Sequence, residues 1–244
     1  MSQYGIQIAE GQWNDTKSIF KFGYNGTVGT DEEAIWTEGG AYSYLSSATT
    51  LKISSASTAD ASAGTGARTV SISGLDADYN EISETVTLNG QTAVNTTNEY
   101  LRVFRMQVLT AGSGGANAGK VYAGTGTVTS GVPANKYAVI DAGENQTLMA
   151  LWTVPAGYTA YIHQLNVSQG ATTANKYATI RLKIRNEGAV FATKLKFDVM
   201  QQTYGSQYMI PIVVAEKSDI EVTGDSQSGD NTVSAEILMI YKKN

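Results

Sequence analysis

The chain has 244 residues, a formal net charge of −5, one His and no Cys. Without cysteine there is no disulfide framework, no thiolate nucleophile and no cysteine-ligated metal, and a single His excludes any site that needs two imidazoles. Gly, Ala, Ser and Thr make up about 40% of the residues and charged residues only 16%, a bias that suits strands joined by tight turns and argues against a helical bundle.

The charge is unevenly spread. Residues 1–100 hold 12 acidic and 4 basic side chains, and residues 101–244 hold 10 and 13. An acidic chain lacks the basic footprint that phosphate contacts need, which argues against nucleic-acid binding. No stretch reaches the roughly 18 apolar residues of a membrane helix, so no membrane partner is expected. The opening MSQYGIQIAEGQWND has no basic segment followed by an apolar run, the pattern of a secretory signal, and synthesis in a cytosol is expected.

Residues 1–40 show no sustained period of 2 or 3.6. Trp13, Phe20, Phe22 and Trp36 alternate there with Gly, Asn and acidic residues. Two readings stand: an irregular segment whose aromatics pack back on the core, or an extended arm that reaches a neighbouring subunit, since interfaces are rich in aromatics.

From residue 41 the pattern is β. Residues 42–53 read as one or two strands, 68–73 and 79–88 as two more, and 91–97 and 100–110 as a further pair, with Asn89-Gly90 as a turn dipeptide. Arg68 and Glu84 fall on one face of adjacent strands, and an ion pair is expected. Residues 111–135 are Gly-rich with one short strand candidate, which marks the expected domain junction. Eight crisper strands follow, at 137–141, 147–154, 160–168, 178–185, 189–199, 208–214, 218–223 and 233–242. The fold expected is all-β: an N-terminal arm over 1–40, a first β region over 41–130 and a second over 131–244, both sandwiches of jelly-roll type.

One hairpin allows a register. With a turn at 186–189, Ile184 faces Phe191, Leu182 faces Thr193 and Ile180 faces Leu195, all on one side. The other side carries Arg181, Lys183 and Arg185 beside Lys194 and Lys196, with Arg181 across from Lys194. Like charges placed opposite each other destabilise by roughly 0.2–1 kcal/mol. The row is either a solvated face or a docking surface for an acidic partner such as another copy's acidic half. In the second case, reversing Lys194 and Lys196 to Glu weakens assembly and leaves melting unchanged.

Catalytic motifs are absent from the sequence. Asp76-x-Asp78-x-Asn80 has the first spacings of a calcium loop, but Glu81 stands where the sharp turn needs Gly and Thr87 where the bidentate Glu belongs, so an ordinary turn is expected. Gly124-Thr-Gly opens like a dinucleotide fingerprint with no helix after it. His163 shares a strand face with Tyr161, Leu165 and Val167 and reads as structural; no Gly-x-Ser-x-Gly elbow supports a triad. No catalytic, metal or cofactor-binding residue is assigned, no cofactor is expected, and the chain is read as a non-enzyme.

Several strings are family markers. Gly64-Thr-Gly-Ala-Arg-Thr-Val, the run from Gly74-Leu-Asp-Ala-Asp-Tyr-Asn-Glu to Asn89-Gly90, Trp36-Thr-Glu-Gly-Gly-Ala-Tyr, Thr153-Val-Pro-Ala-Gly-Tyr-Thr-Ala-Tyr-Ile and Lys217-Ser-Asp-Ile-Glu-Val resemble a group of virion proteins of tailed bacteriophages, many of them marine. The resemblance covers most of residues 20–240. It implies a particle component made in a bacterial cytoplasm: a head decoration or head-fibre protein, or a neck or tail piece, whose partners are major capsid or connector proteins and other copies of itself. The alternative class is a carbohydrate-binding adhesion module, for which Trp152 and 14 Tyr supply stacking material.

Overall fold

The structure, a computed structural model, describes residues 3–170, 176–227 and 231–244. In chain order its elements are α1 (Gln3–Ala9), β1 (Thr16–Val28), β2 (Glu33–Ala34), β3 (Thr49–Ser55), β4 (Ala67–Leu75), β5 (Glu81–Thr87), β6 (Val94–Tyr100), β7 (Arg102–Ala111) and β8 (Val121–Thr129). They continue with β9 (Val132–Ile140), β10 (Leu151–Thr153), β11 (Tyr158–Gly170), β12 (Ala178–Arg185), β13 (Ala192–Val199), β14 (Thr203–Val214), β15 (Asp219–Ser226) and β16 (Asn231–Lys243). Every strand pairing is antiparallel, so the expected all-β class holds.

The chain divides into two compact units. Unit 1 is 1–41 with 150–244, and unit 2 is 42–149. This differs from the expected division at 130/131 and from the reading of 1–40 as an extended arm, and agrees with the other reading, in which that segment packs on the core. The segment 1–40 belongs to unit 1, where β1 pairs along its length with β16 from the other end of the chain. Where the chain returns to unit 1, the Ala150 amide donates to the carbonyl of Ile35 at 2.9 Å, six residues before the chain leaves that unit at Ala41. Close entry and exit let a host fold accept an inserted unit without rearrangement.

The strand in the arm is illegible in the sequence because β1 reverses the usual pattern. Its outward positions are Phe20, Phe22 and Tyr24, whereas Lys21, Gly23 and Asn25 are buried. Inward space is tight there: a Cβ on Gly23 would lie 2.1 Å from the Ile35 oxygen and 2.4 Å from the Ala150 nitrogen.

Unit 1 holds two sheets, in the order β1-β16-β11-β14 and β10-β15-β12-β13, with β2 on β15. The pairs β1/β16, β10/β15, β11/β14 and β12/β13 are nested one inside another in the sequence. That is the order produced when one long antiparallel ribbon is rolled up, and β16/β11 and β15/β12 close the roll. Between the sheets lie Ile162, Leu165, Val167, Ile180, Leu182, Val222, Ile237 and Met239, all fully buried. Trp152 packs there against Tyr241 with ring centroids 5.1 Å apart.

Unit 2 has sheets β6-β3-β8-β9 and β5-β4-β7 and lacks the nested pairing, so the structure does not consist of the two expected sandwiches of jelly-roll type. The Gly-rich run 111–135 is no junction. It contains β8, an inner strand between β3 and β9, and its small residues serve close packing: a Cβ on Gly124 would lie 2.2 Å from the Asn135 oxygen. The loop before β8 is held by buried polar groups. Asp60 accepts the Ser55 hydroxyl at 2.6 Å and the amides of Ala67, Ala118 and Gly119 at 2.7–2.9 Å. The Asn117 amide donates to the carbonyls of Gly119 and Asp141 at 2.7 and 2.8 Å.

Gly23→Ala forces the hydrogen-bonded backbone of Ile35 and Ala150 away from β1 and destabilises unit 1 by about 2 kcal/mol. Trp13, Trp36 and Trp152 are the chain's 3 tryptophans and all lie in unit 1, so denaturant unfolding followed by tryptophan fluorescence reads that loss without a contribution from unit 2.

Candidate interaction surface

The basic row is the first candidate. On β12, Arg181, Lys183 and Arg185 face the outer side of their sheet, but the neighbouring β15 sets Thr223, Glu221 and Asp219 directly opposite them. Arg185 grips the buried Asp219 carboxylate at 2.6 and 3.0 Å, and the Thr153 hydroxyl donates to the same group at 2.6 Å. Lys183 reaches Glu32 at 2.8 Å and Glu221 at 3.7 Å. Arg181 bonds Asp225, with Glu32 3.7 Å away. Three of the five expected docking cations are thus neutralised within the sheet.

The expected hairpin register is also corrected. Ile184 pairs with Ala192, one residue past Phe191, and an extra residue that bulges between Thr193 and Leu195 adds a second step, so Arg181 pairs with Lys196 and not Lys194. Phe191 leaves the ladder and covers the cations instead, with the Arg185 guanidinium 4.5 Å from its ring centre. Lys194 and Lys196 remain exposed on β13, an edge strand, where lysine discourages edge-to-edge pairing.

Arg68 and Glu84 do not form the expected pair. Ile72, not Arg68, lies opposite Glu84; Arg68 donates to the Gly64 carbonyl at 3.1 Å and Glu84 accepts the Thr97 and Asn98 amides. Asp76 closes an ordinary turn by accepting the amides of Asp78 and Asn80 at 2.9 Å. Among the described residues no group of three or more His, Asp or Glu is arranged to hold a metal. His163 sits at a bulge between Ile162 and Gln164, which turns Leu165 and Val167 inward and removes the shared face expected for them. Trp152 is 1% exposed and cannot stack on a sugar. Trp36 is 5% exposed, with its indole N–H donating to the Gly39 carbonyl at 2.7 Å, so it belongs to the core and not to an interface.

A different surface is open. Trp13, Phe20 and Tyr24 are each about 44–45% exposed and Phe22 is half-buried. Register places Phe20 beside Leu238, and Tyr161 between Ile240 and Val213, apolar side chains on the outer face of the β1-β16-β11-β14 sheet. At its far edge β14 carries four residues, 208–211, against the single His163 of β11. Met209 and Ile210 project from that bulge 98% and 86% exposed. Sequence reading missed this knob, although its signal was present: no charge occurs from Val199 to Ala215.

The segment after β1 is clasped by two carboxylates. Glu33 accepts the amides of Gly29 and Gly40 at 2.9 and 2.8 Å and the Asn25 side chain at 3.0 Å. Burial pushes its carboxyl up, but those three donors outweigh burial and hold it below the usual glutamate range. Burial acts likewise on Glu32 and is outweighed by Lys183, Thr223 and Arg181.

The chain matches no protein-family model and no curated protein. Among solved structures it is similar to those of infectious bursal disease virus. The Gx strain gives a TM-score of 0.21 at 10% identity over 93% of this chain and 76% of that one. T=1 particles derived from the virus give 0.22 at 10% over 94% and 70%. The VP2 subviral particle gives 0.20 at 8% over 93% and 76%.

Asp219→Ala strands the Arg185 guanidinium and destabilises unit 1 by about 3 kcal/mol, the low end for breaking a buried pair because Arg185 is partly exposed; tryptophan-monitored unfolding checks it. For Glu33 a lowered native value means that its contribution is complete above the unfolded value of about 4.3 and is lost as pH falls through the native one. Glu33→Gln is therefore less stable than the unmodified chain at pH 7, and the gap closes in melting curves taken at progressively lower pH below about 4.

Proposed function

We propose that the chain is a non-enzymatic structural subunit of a tailed-phage virion, decorating or stabilising the head through many contacts with capsid and sister subunits. The nested strand order of unit 1 carries this reading. It is the order of an eight-stranded jelly roll, an architecture shared by capsid proteins and lectins, and its use here is a fold-level analogy. The exposed apolar side chains and the phage-like strings add to it from independent directions. Each subunit contact can be weak, because copies fixed on a symmetric shell bind with the avidity of all their contacts together.

The adhesion alternative loses the tryptophan on which it was based, since Trp152 lies between the sheets. Neck and tail positions differ from the head in copy number. Quantitative mass spectrometry of purified particles from a phage encoding this chain is expected to find it in tens to hundreds of copies. Six or twelve copies would move it to the neck or tail, and its absence from particles would overturn the proposal.

A further inference from the structure

The outer face of the β1-β16-β11-β14 sheet has an aromatic margin and a polar centre. Phe20, Phe22 and Tyr24 follow one another along β1, with the first two ring centres 5.7 Å apart. Register sets Glu236 and Ser234 of β16 beside Phe22 and Tyr24, and Asn166 and Ser168 of β11 beside those two in turn. The polar side chains are linked to one another. Gln164 donates to the Asn166 carboxamide oxygen at 3.1 Å, Asn166 donates to the Glu236 carboxylate at 3.1 Å, and the Ser168 and Ser234 hydroxyls lie 2.7 Å apart. All five are partly exposed, so they are oriented by their own hydrogen bonds and still reachable from solvent.

A glycine keeps this centre open. Gly205 of β14 stands beside Asn166, and among the described residues a Cβ there would meet only the Asn166 side chain, 2.8 Å from its oxygen. Glycine inside a strand weakens it and marks a bulge, a bend, or the close approach of a ligand or another backbone; at Gly205 the pairing runs without a register shift and no backbone comes close. Charge narrows the ligand. In the three rows of four residues that run from Phe20, Phe22 and Tyr24 to β14, Glu236 is the single charge, so an anionic ligand finds no cation and nucleic acid no basic footprint. A protein interface has an apolar core inside a polar rim, whereas here the polar groups occupy the middle and the aromatics one side. A pyranose chain suits both parts: its C–H faces stack on aromatic rings, and its hydroxyls give and accept hydrogen bonds as amides, hydroxyls and a carboxylate require. The rows span about 13 Å along β1 and about 14 Å across the sheet, room for several linked sugars.

We infer that this face binds a neutral oligosaccharide, laid along β1 with its sugar faces on Phe20, Phe22 and Tyr24 and its hydroxyls on Asn166, Glu236 and the serine pair. The inference goes beyond the structural-subunit reading and does not depend on it. It also owes nothing to Trp152, which lies between the sheets. The Gln164–Asn166–Glu236 chain holds the polar groups in place before the ligand arrives, which lowers the ordering cost of binding. Each sugar contact is weak, and copies displayed together on one surface bind with their combined avidity.

The test applies the full chain to a microarray of neutral gluco-, manno- and galacto-hexasaccharides, with hexagalacturonate as the acidic control, and measures affinity for the best neutral ligand by titration calorimetry. The unmodified chain is expected to bind at least one neutral hexasaccharide and not the acidic one. F20A/Y24A removes two stacking rings and is expected to weaken binding by about tenfold or more. Gly205→Ala turns only the Asn166 side chain aside, so it is expected to melt as the unmodified chain does while binding falls by a similar factor; this separates loss of the face from loss of the fold. Lys194→Ala, on the edge of the other sheet, is expected to change neither. The inference is overturned if no hexasaccharide on the array is bound, if hexagalacturonate is the sole ligand, or if F20A/Y24A and Gly205→Ala both bind as tightly as the unmodified chain. Loss of F20A/Y24A from particles, when the isolated chain binds no glycan, would assign the face to a protein neighbour and overturn it too. Glycan binding by a chain that is absent from particles would uphold this inference and remove the structural-subunit reading alone.

Discussion

Unit 1 depends on one ladder, that between β1 and β16. These strands come from residues 16–28 and 231–243, so the outermost pair of the rolled ribbon closes only when the two ends of the chain meet. The ladder sets which side of β1 faces inward, and with it the placement of Gly23 against Ile35 and Ala150. It also places the Glu33 clasp, through Asn25, and the packing of Tyr241 on Trp152. Contacts this distant in sequence carry a large loop-closure cost and belong to slow-folding topologies. The inserted unit 2 lies within that loop and has its own core.

Polar groups are used as fasteners inside the units. Asp60 gathers three amides and a hydroxyl in unit 2, and Asp219 binds a guanidinium and a hydroxyl in unit 1; both are at most 2% exposed. A buried carboxylate is tolerated only when its oxygens are saturated by donors, and the loops around Asp60 are shaped to supply them. The same logic explains the basic row. Three cations at alternate positions of β12 look like a surface for an acidic partner, but β15 offers acids at matching positions, so the complementary charge is internal. The outer face of the other sheet, by contrast, exposes apolar and aromatic side chains such as Phe20, Tyr24 and Val213.

Much of the β structure is legible from composition and alternation. The strand at 178–185 appears with the expected bounds, and every strand expected in the second half exists, because a period of two with β-branched residues on one face reports the pleat directly. Three features are misread. β1 is hidden because its inward positions are Lys, Gly and Asn. β8 reads as a linker because Gly124 serves close packing and not flexibility. The faces of β11 and the register of β12 with β13 are each shifted by a bulge, and a single extra residue exchanges the two faces of a strand. For β1 and β11 the deciding contacts come from β16, far away in the chain, whereas for Gly124 and for the β12 register they come from the next strand.

The sequence by itself determined the class of the protein: no cysteine chemistry, no site of paired imidazoles, and antiparallel strands joined by tight turns. Those follow from residue identities and local periodicity. Tertiary structure alone decided that residues 16–28 pair with residues 231–243 in one unit, while residues 42–149 form another. It also decided that Arg181, Lys183 and Arg185 are internally paired, that Trp36 and Trp152 are core, and that Met209 and Ile210 stand clear of the surface. Pairing partners, burial and bulge positions depend on which distant strands become neighbours, and a one-dimensional pattern does not contain that information.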